Sequence, residues 1–344
     1  MRTGTRWLKP ANIFRLFGFG LFIYLFLGFM VLPNWNTLTQ IFNTTVKTVD
    51  PATGLETVRR DPWAVIRFFF AGNMGKYVLN SLKLGVFLVV TVNIVGISIV
   101  LLTEYFDIRG ARILRLGYMT TLIYSGVALV TGYLFLYDNN GILTTALVNA
   151  YPGMDKNWFS GFNAVMFTMT FACTSNHMLF LRNAIRSIDY NTVEAARNLG
   201  ARPMKVLWKV VFPTLIPTLF SLTVMTFITG LCAMSAPTLL GYDSINPEIV
   251  RLAGSSIADE AFPQARAALL SIILALFTII LLTVLSAYER RGHYLSVSKT
   301  KARLVKQKIH NPVANALAHV YAYALFIIYM TPVVMIIIFS FQTY

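Results

Sequence analysis

Residues 186–213 read RSIDYNTVEAARNLGARPMKVLWKVVFP, a basic, polar interval between two long apolar segments. The pattern predicts a short helix held at a membrane surface. Asn191 followed by Glu194 offers a capping box, because each side chain can satisfy an orphan amide of the first turn. Gly200 supplies a left-handed residue to close the helix. Pro203, three residues on, cannot rejoin the ladder, so the helix runs about two to three turns. A helix of that length does not stand alone. Val193, Ala196 and Gly200 line up at helical spacing beside Ala195, giving a small surface that lets a partner backbone come close, while Glu194 and Arg197 supply ionic contacts. This suits a helix laid in a groove of another protein.

The run Glu194-Ala195-Ala196, three residues, Gly200, nine residues, Val210, one residue, Phe212, Pro213 resembles the EAA loop of bacterial ABC importer permeases. The family pattern has Ile and Leu where this chain has Val210 and Phe212, both apolar exchanges. The resemblance implies an all-α, polytopic transmembrane bundle of the type I importer permease fold. It further implies that Glu194, Ala195, Ala196, Arg197, Gly200 and Pro213 couple the chain to an ATPase. The partners implied are two copies of an ABC ATPase subunit, an extracellular substrate-binding protein, a second permease half and the lipid bilayer. ATP hydrolysis then belongs to a separate subunit, and this chain is not an enzyme and holds no cofactor. The stretches SAPTLLG (235–241) and SVSKTKARLVKQKI (296–309) resemble ferric-iron-type permeases, relatives of the polyamine permeases, in which two six-span halves are often fused. That likeness implies ferric iron as the solute, with polyamines or another small solute as the alternative.

Composition independently fixes the class. Hydrophobic residues make up 56% and charged residues 12%, with a mean hydropathy of +0.63, too apolar for a soluble domain of this length. Stretches of about twenty apolar residues each cross the hydrocarbon core as a helix. Seven are predicted, at roughly 12–32, 79–103, 116–137, 158–181, 214–240, 266–288 and 316–340. The first follows Arg2, Arg6 and Lys9 but is too long for a signal core and lacks a small-x-small cleavage site, so it reads as an uncleaved span. With the N-terminus cytoplasmic, the inner segments hold 20 of the 29 basic residues and five of the 14 acids, which places the whole +15 excess inside. The localisation expected is the bacterial cell membrane. A basic chain also invites a nucleic-acid reading, but the charge is dispersed over four segments between spans.

Sites of chemistry are not found. Gly72-Asn73-Met74-Gly75-Lys76-Tyr77 superficially matches a phosphate loop, but the glycines are too close and Tyr77 stands where Ser or Thr is needed. Cys173 and Cys232 lie within spans and read as small buried hydrophobes. The four histidines have no metal-ligand spacing, and no catalytic constellation is present. The spans carry no carboxylate at membrane depth; Glu104 and Asp107 fall at a span end. This disfavours a proton- or sodium-coupled carrier, or a channel, as the rival class.

Neutral polarity concentrates in the fourth and fifth spans. Thr174, Ser175 and Asn176 in one, with Thr226, Thr229 and Ser235 in the other, are the candidates to line a path. The bland alternative is that such hydroxyls bond back to their own helix or glue helix to helix.

The first outer segment, 33–78, is polar and turn-rich before Trp63 and Phe68-Phe69-Phe70. It reads either as an exposed loop with an aromatic belt or as a surface for the binding protein. The expected division is a permease half at 1–290 with its coupling loop at 186–213, a basic cytoplasmic linker at 291–315, and at 316–344 the first span of a second half. The echo of Gly20-Leu21-Phe22-Ile23-Tyr24 in Ala324-Leu325-Phe326-Ile327-Ile328-Tyr329 supports that division, and predicts a natural chain continuing for roughly 200–250 residues with a second EAA-like loop.

Overall fold

The computed structural model describes residues 10–49, 56–72, 74–255, 261–291 and 305–341. Arg2, Arg6, Lys9, Lys299, Lys301 and Arg303, which entered the charge count, lie outside the described residues, as does most of the predicted linker. Six described helices are long and apolar enough to cross a membrane, and a helix pair bent by 112°, Ala111–Leu122 with Gly126–Ala150, counts as a seventh if it is one span. The chain packs as two compact units, Met1–Gly75 with Glu248–Ile273 and Lys76–Pro247 with Leu274–Tyr344.

In the first unit, α1 (Pro10–Phe26) passes through a π-helical turn, Leu27–Val31, into α2 (Leu32–Phe42). The span predicted to end at Leu32-Pro33 instead runs on. The widened turn, with Leu32 N–H bonded to the Leu27 carbonyl, shifts the carbonyl that a proline ring would strike. No residue from Phe14 to Val31 is buried. The expected loop at 33–78 is also corrected. Beyond α2 it forms an antiparallel hairpin, β1 (Thr45–Val49) and β2 (Glu56–Arg60), in register from Thr45 opposite Arg60 to Val49 opposite Glu56. The β-branched Thr and Val residues of both strands favour the pleated chain. Then α3 (Ala64–Ala71) joins a small core of Ile41, Val65, Ala265 and Ala268.

The second unit holds α4 (Met74–Val100), whose last turn, Leu101–Tyr105, is π-helical, then α5 (Ala111–Tyr118), α6 (Gly126–Tyr137), α7 (Ile142–Ala150) and α8 (Gly161–Arg186). The third predicted span, 116–137, is not one straight helix. Its two parts meet at 112°, where Ser125 caps α6 by accepting from Ala128 N–H at 3.2 Å. Next come α9 (Tyr190–Asn198), α10 (Pro203–Val206) and a third π turn, Leu207–Val211, that admits Pro213 into α11 (Phe212–Leu231) as the turn at Leu27–Val31 admits Pro33. The predicted fifth span, 214–240, therefore starts earlier, and it breaks at Cys232–Met234 before α12 (Ser235–Leu239). Two helices shared between the units, α13 (Ile245–Gly254), which belongs to the first from Glu248 on, and α14 (Pro263–Arg291), which belongs to the second from Leu274 on, precede α15 (Pro312–Ser340).

Helix α15 is built into this second unit. A Cβ at Gly132 of α6 would lie 2.7 Å from both Cβ and the carbonyl of Pro332, so the absence of a side chain sets the approach of α6 and α15. Tyr118 and Tyr133 donate to the carbonyls of Ala322 (2.6 Å) and Ile328 (3.2 Å). The Tyr329 hydroxyl meets Thr174 Oγ1. In lipid each buried phenol needs such a partner.

Candidate coupling site and translocation path

The helix foreseen at 186–213 is α9, two and a half turns long, but its cap differs from the one read in the sequence. Asp189, extended at φ −72° and ψ 120°, is the N-cap and accepts from Asn191 N–H at 3.1 Å. Asn191 already lies inside the helix, so the capping box with Glu194 does not form. The C-terminal end closes as expected. Gly200 has φ +79°, its N–H reaches the Arg197 carbonyl (2.8 Å), and Ala201 N–H reaches that of Ala196 (3.1 Å). These two bonds are a Schellman closure.

The predicted small outer face needs one correction. Val193 is fully buried in the same apolar cluster as Ile188, Val206, Leu207 and Val211, and Ala196 packs partly against it. Burying Val193 anchors α9, since the helix carries no other aliphatic side chain larger than alanine. The free edge consists of Glu194, Ala195, Arg197 and Gly200, all exposed, with Pro213 exposed further along. Leu199, which sequence reasoning passed over, stands 89% exposed beside Gly200.

Just inside this helix lies a cluster that sequence reading also missed. The Glu104 side chain is 4% exposed and faces three arginines: Arg115 Nη1 at 3.0 Å, Arg182 Nε at 3.1 Å and Arg186 Nε at 2.8 Å. The Arg115 and Arg186 contacts are hydrogen-bonded; the Arg182 contact is an ion pair without that alignment. Arg182 and Arg186, one turn apart at the end of α8, lead directly into α9. Tyr105, fully buried, donates to the Pro203 carbonyl at 3.1 Å. The linker is tied on as well, through Asp107 N–H to the Gln307 carbonyl (3.0 Å) and Gln307 N–H to that of Tyr105 (2.8 Å). Burial pulls the Lys306 ammonium below its ordinary pKa, opposed by the nearby Glu104 and Asp107 carboxylates.

The six candidate path residues divide. Thr174 and Ser175 are buried and donate to the carbonyls of Phe171 (3.0 Å) and Ala172 (3.1 Å). Thr226 is buried and Asn176 half-buried. Only Thr229 and Ser235 line a cavity of about 430 Å³ walled by α6, α8, the end of α11 and α12. Cys232, expected to be buried, is exposed because it sits in the helix break and borders this cavity. A further polar join was not foreseen: Asn93 donates to Thr223 Oγ1 (3.1 Å) and to the Val89 carbonyl (2.8 Å), and its oxygen accepts a hydrogen bond from His177 Nε2 at 3.2 Å. Among the described residues, no group of three or more His, Cys, Asp or Glu is placed to hold a metal.

A polytopic helical bundle with a short polar helix projecting between two crossings defines the class, a multi-pass membrane transport component. Residues 68–291 match the family described as binding-protein-dependent transport system inner membrane component, and the chain belongs to that family. The family is a transport component and not a catalytic one. The chain is 36% identical over 254 residues to a probable ABC transporter permease of Sinorhizobium fredii, an alignment covering 73% of this chain and 44% of that protein. It is 25% identical over 240 residues to the ferric transport system permease protein FbpB of Actinobacillus pleuropneumoniae, covering 69% and 34%. The chain thus spans less than half the length of these relatives. Its fold matches a chain of a bacterial alginate ABC transporter, solved in complex with an alginate-pentasaccharide-bound periplasmic protein, at a TM-score of 0.62 and 16% identity over 86% of this chain and 99% of that one.

Proposed function

We propose that this chain supplies one half of the membrane pathway of an ATP-driven importer, with its N-terminus in the cytoplasm and α9 docked on an ABC ATPase. The observation that carries this reading is the free edge of α9, which presents Glu194, Ala195, Arg197 and Leu199 while Val193 holds the helix to its own bundle. In this reading Glu194 and Arg197 make ionic contacts with the ATPase, Ala195 permits close approach, and Gly200 fixes the turn that follows. Two ATPase copies, an extracellular binding protein and a second permease half, fused or separate, complete the assembly. Ferric iron is the first solute to test, by accumulation of labelled iron. Relatives also include a glucose import permease of Saccharolobus solfataricus and a putative 2-aminoethylphosphonate permease of Salmonella typhi.

Orientation is tested with a single cysteine at Asn191, an exposed position on α9. An impermeant thiol reagent is expected to leave Asn191→Cys unlabelled in intact cells and to label it in inside-out vesicles. Labelling from outside intact cells would overturn both the topology and the ATPase contact.

A further inference from the structure

The cavity at the helix break carries a reading of its own, which rests on the importer assignment above. Its volume, about 430 Å³, lies in the range of small-molecule sites, roughly 300–1,000 Å³. It opens where α11 stops at Leu231 and α12 restarts at Ser235. Irregular backbone at membrane depth is tolerated only where protein or a cavity covers it. Here the carbonyl of Cys232 is satisfied by Asn246 Nδ2 at 2.5 Å.

The lining is uncharged throughout. Methionine and cysteine sulfurs from Met169, Cys173, Cys232 and Met234 alternate with alkyl groups, and the polar contribution comes from Thr168, Thr229 and Ser235. Thr168 and Thr229 donate their hydroxyl protons to the carbonyls of Ala164 and Met225, both at 2.8 Å. Their hydroxyl protons are thereby taken up within their own helices, and the wall that remains is predominantly apolar. An uncharged, largely apolar group is matched; an ion shedding its water here meets no counter-charge.

We infer that this cavity is a station on the transport path that receives an uncharged, largely apolar part of an organic solute.

The test uses the intact importer with its ATPase and binding protein, and reads modification at Cys232 by peptide mass spectrometry. The probes are neutral methyl methanethiosulfonate, its anionic sulfonatoethyl analogue and its cationic trimethylammonium analogue, each rate divided by that for free 2-mercaptoethanol. The neutral reagent is expected to react at least tenfold faster than either ion, and its rate to change at least fivefold when ADP and vanadate trap the importer. Equal normalised rates would overturn the uncharged character. A rate indifferent to trapping would remove the cavity from the path. Stimulation of ATP hydrolysis by the binding protein, measured on the same preparation, separates the two layers: with stimulation present, either result counts against the cavity alone, and without it the importer reading falls and this inference with it.

Discussion

Glutamine in place of Glu104 is expected to cost the folded protein about 2–4 kcal/mol and to bring uptake close to background. Removing one member of a buried ion pair typically costs about 3–5 kcal/mol because its partner is left uncompensated. Here the arginine side chains are 20–34% exposed, so water takes over part of the load. Glutamine keeps the volume and an acceptor oxygen but leaves three guanidinium groups facing one another. The functional loss follows from position, since Arg182 and Arg186 end the helix that leads into α9 and Arg115 belongs to α5. Releasing them loosens the frame against which α9 would push. Thermal unfolding in nanodiscs and uptake should fall together, and Glu104→Asp should recover part of both. An unchanged melting profile for Glu104→Gln would mean that the three-arginine cluster does not hold the cytoplasmic end together.

Valine at Gly200 should break the coupling between this chain and the ATPase without unfolding the chain. Gly200 has φ +79°, and nothing lies within 4 Å of the position a Cβ would take, so the side chain itself fits. The cost is in the backbone, on the order of 1–3 kcal/mol for a β-branched residue in the left-handed region. The cheapest relief is to unwind the Schellman closure, which displaces Arg197 and Leu199 from the exposed edge. Membrane insertion should persist, while uptake and binding-protein-stimulated ATP hydrolysis fall at least tenfold. Gly200→Asn, which tolerates the left-handed region far better, should be mild. Wild-type uptake from Gly200→Val would remove the closing turn from the coupling mechanism.

The crossings were legible because twenty apolar residues need no fine pattern to be recognised. Their breaks were not. Ser125-Gly126 and Met234-Ser235 are small interruptions in apolar runs, and only the packing of α6 and α12 decides that the helix stops there. The hairpin hid behind the polar residues of Thr45–Val49 and Glu56–Arg60, where a strand's alternation was masked by Lys and Arg. In α9 the cap was ambiguous because Asp189 and Asn191 are both good acceptors two residues apart. The inward turn of Val193 was equally hard to read, since nine residues give too few repeats to fix a helical phase. Glu104 could be placed at a span end, but its arginines lie 11 to 82 residues away in sequence, a convergence that only the fold creates. Of the path candidates, type and location were readable, yet which hydroxyl faces the cavity depends on helix rotation.

The most direct measurement of the central claim is photo-crosslinking from Leu199, the most exposed apolar residue beside the closing turn of α9. A benzophenone amino acid placed there in the intact importer is expected to capture the ATPase subunit, with a yield that changes when ADP and vanadate trap the assembly. Capture of lipid or of an extracellular protein, with no ATPase adduct in any state, would contradict the assignment of α9 as the coupling helix.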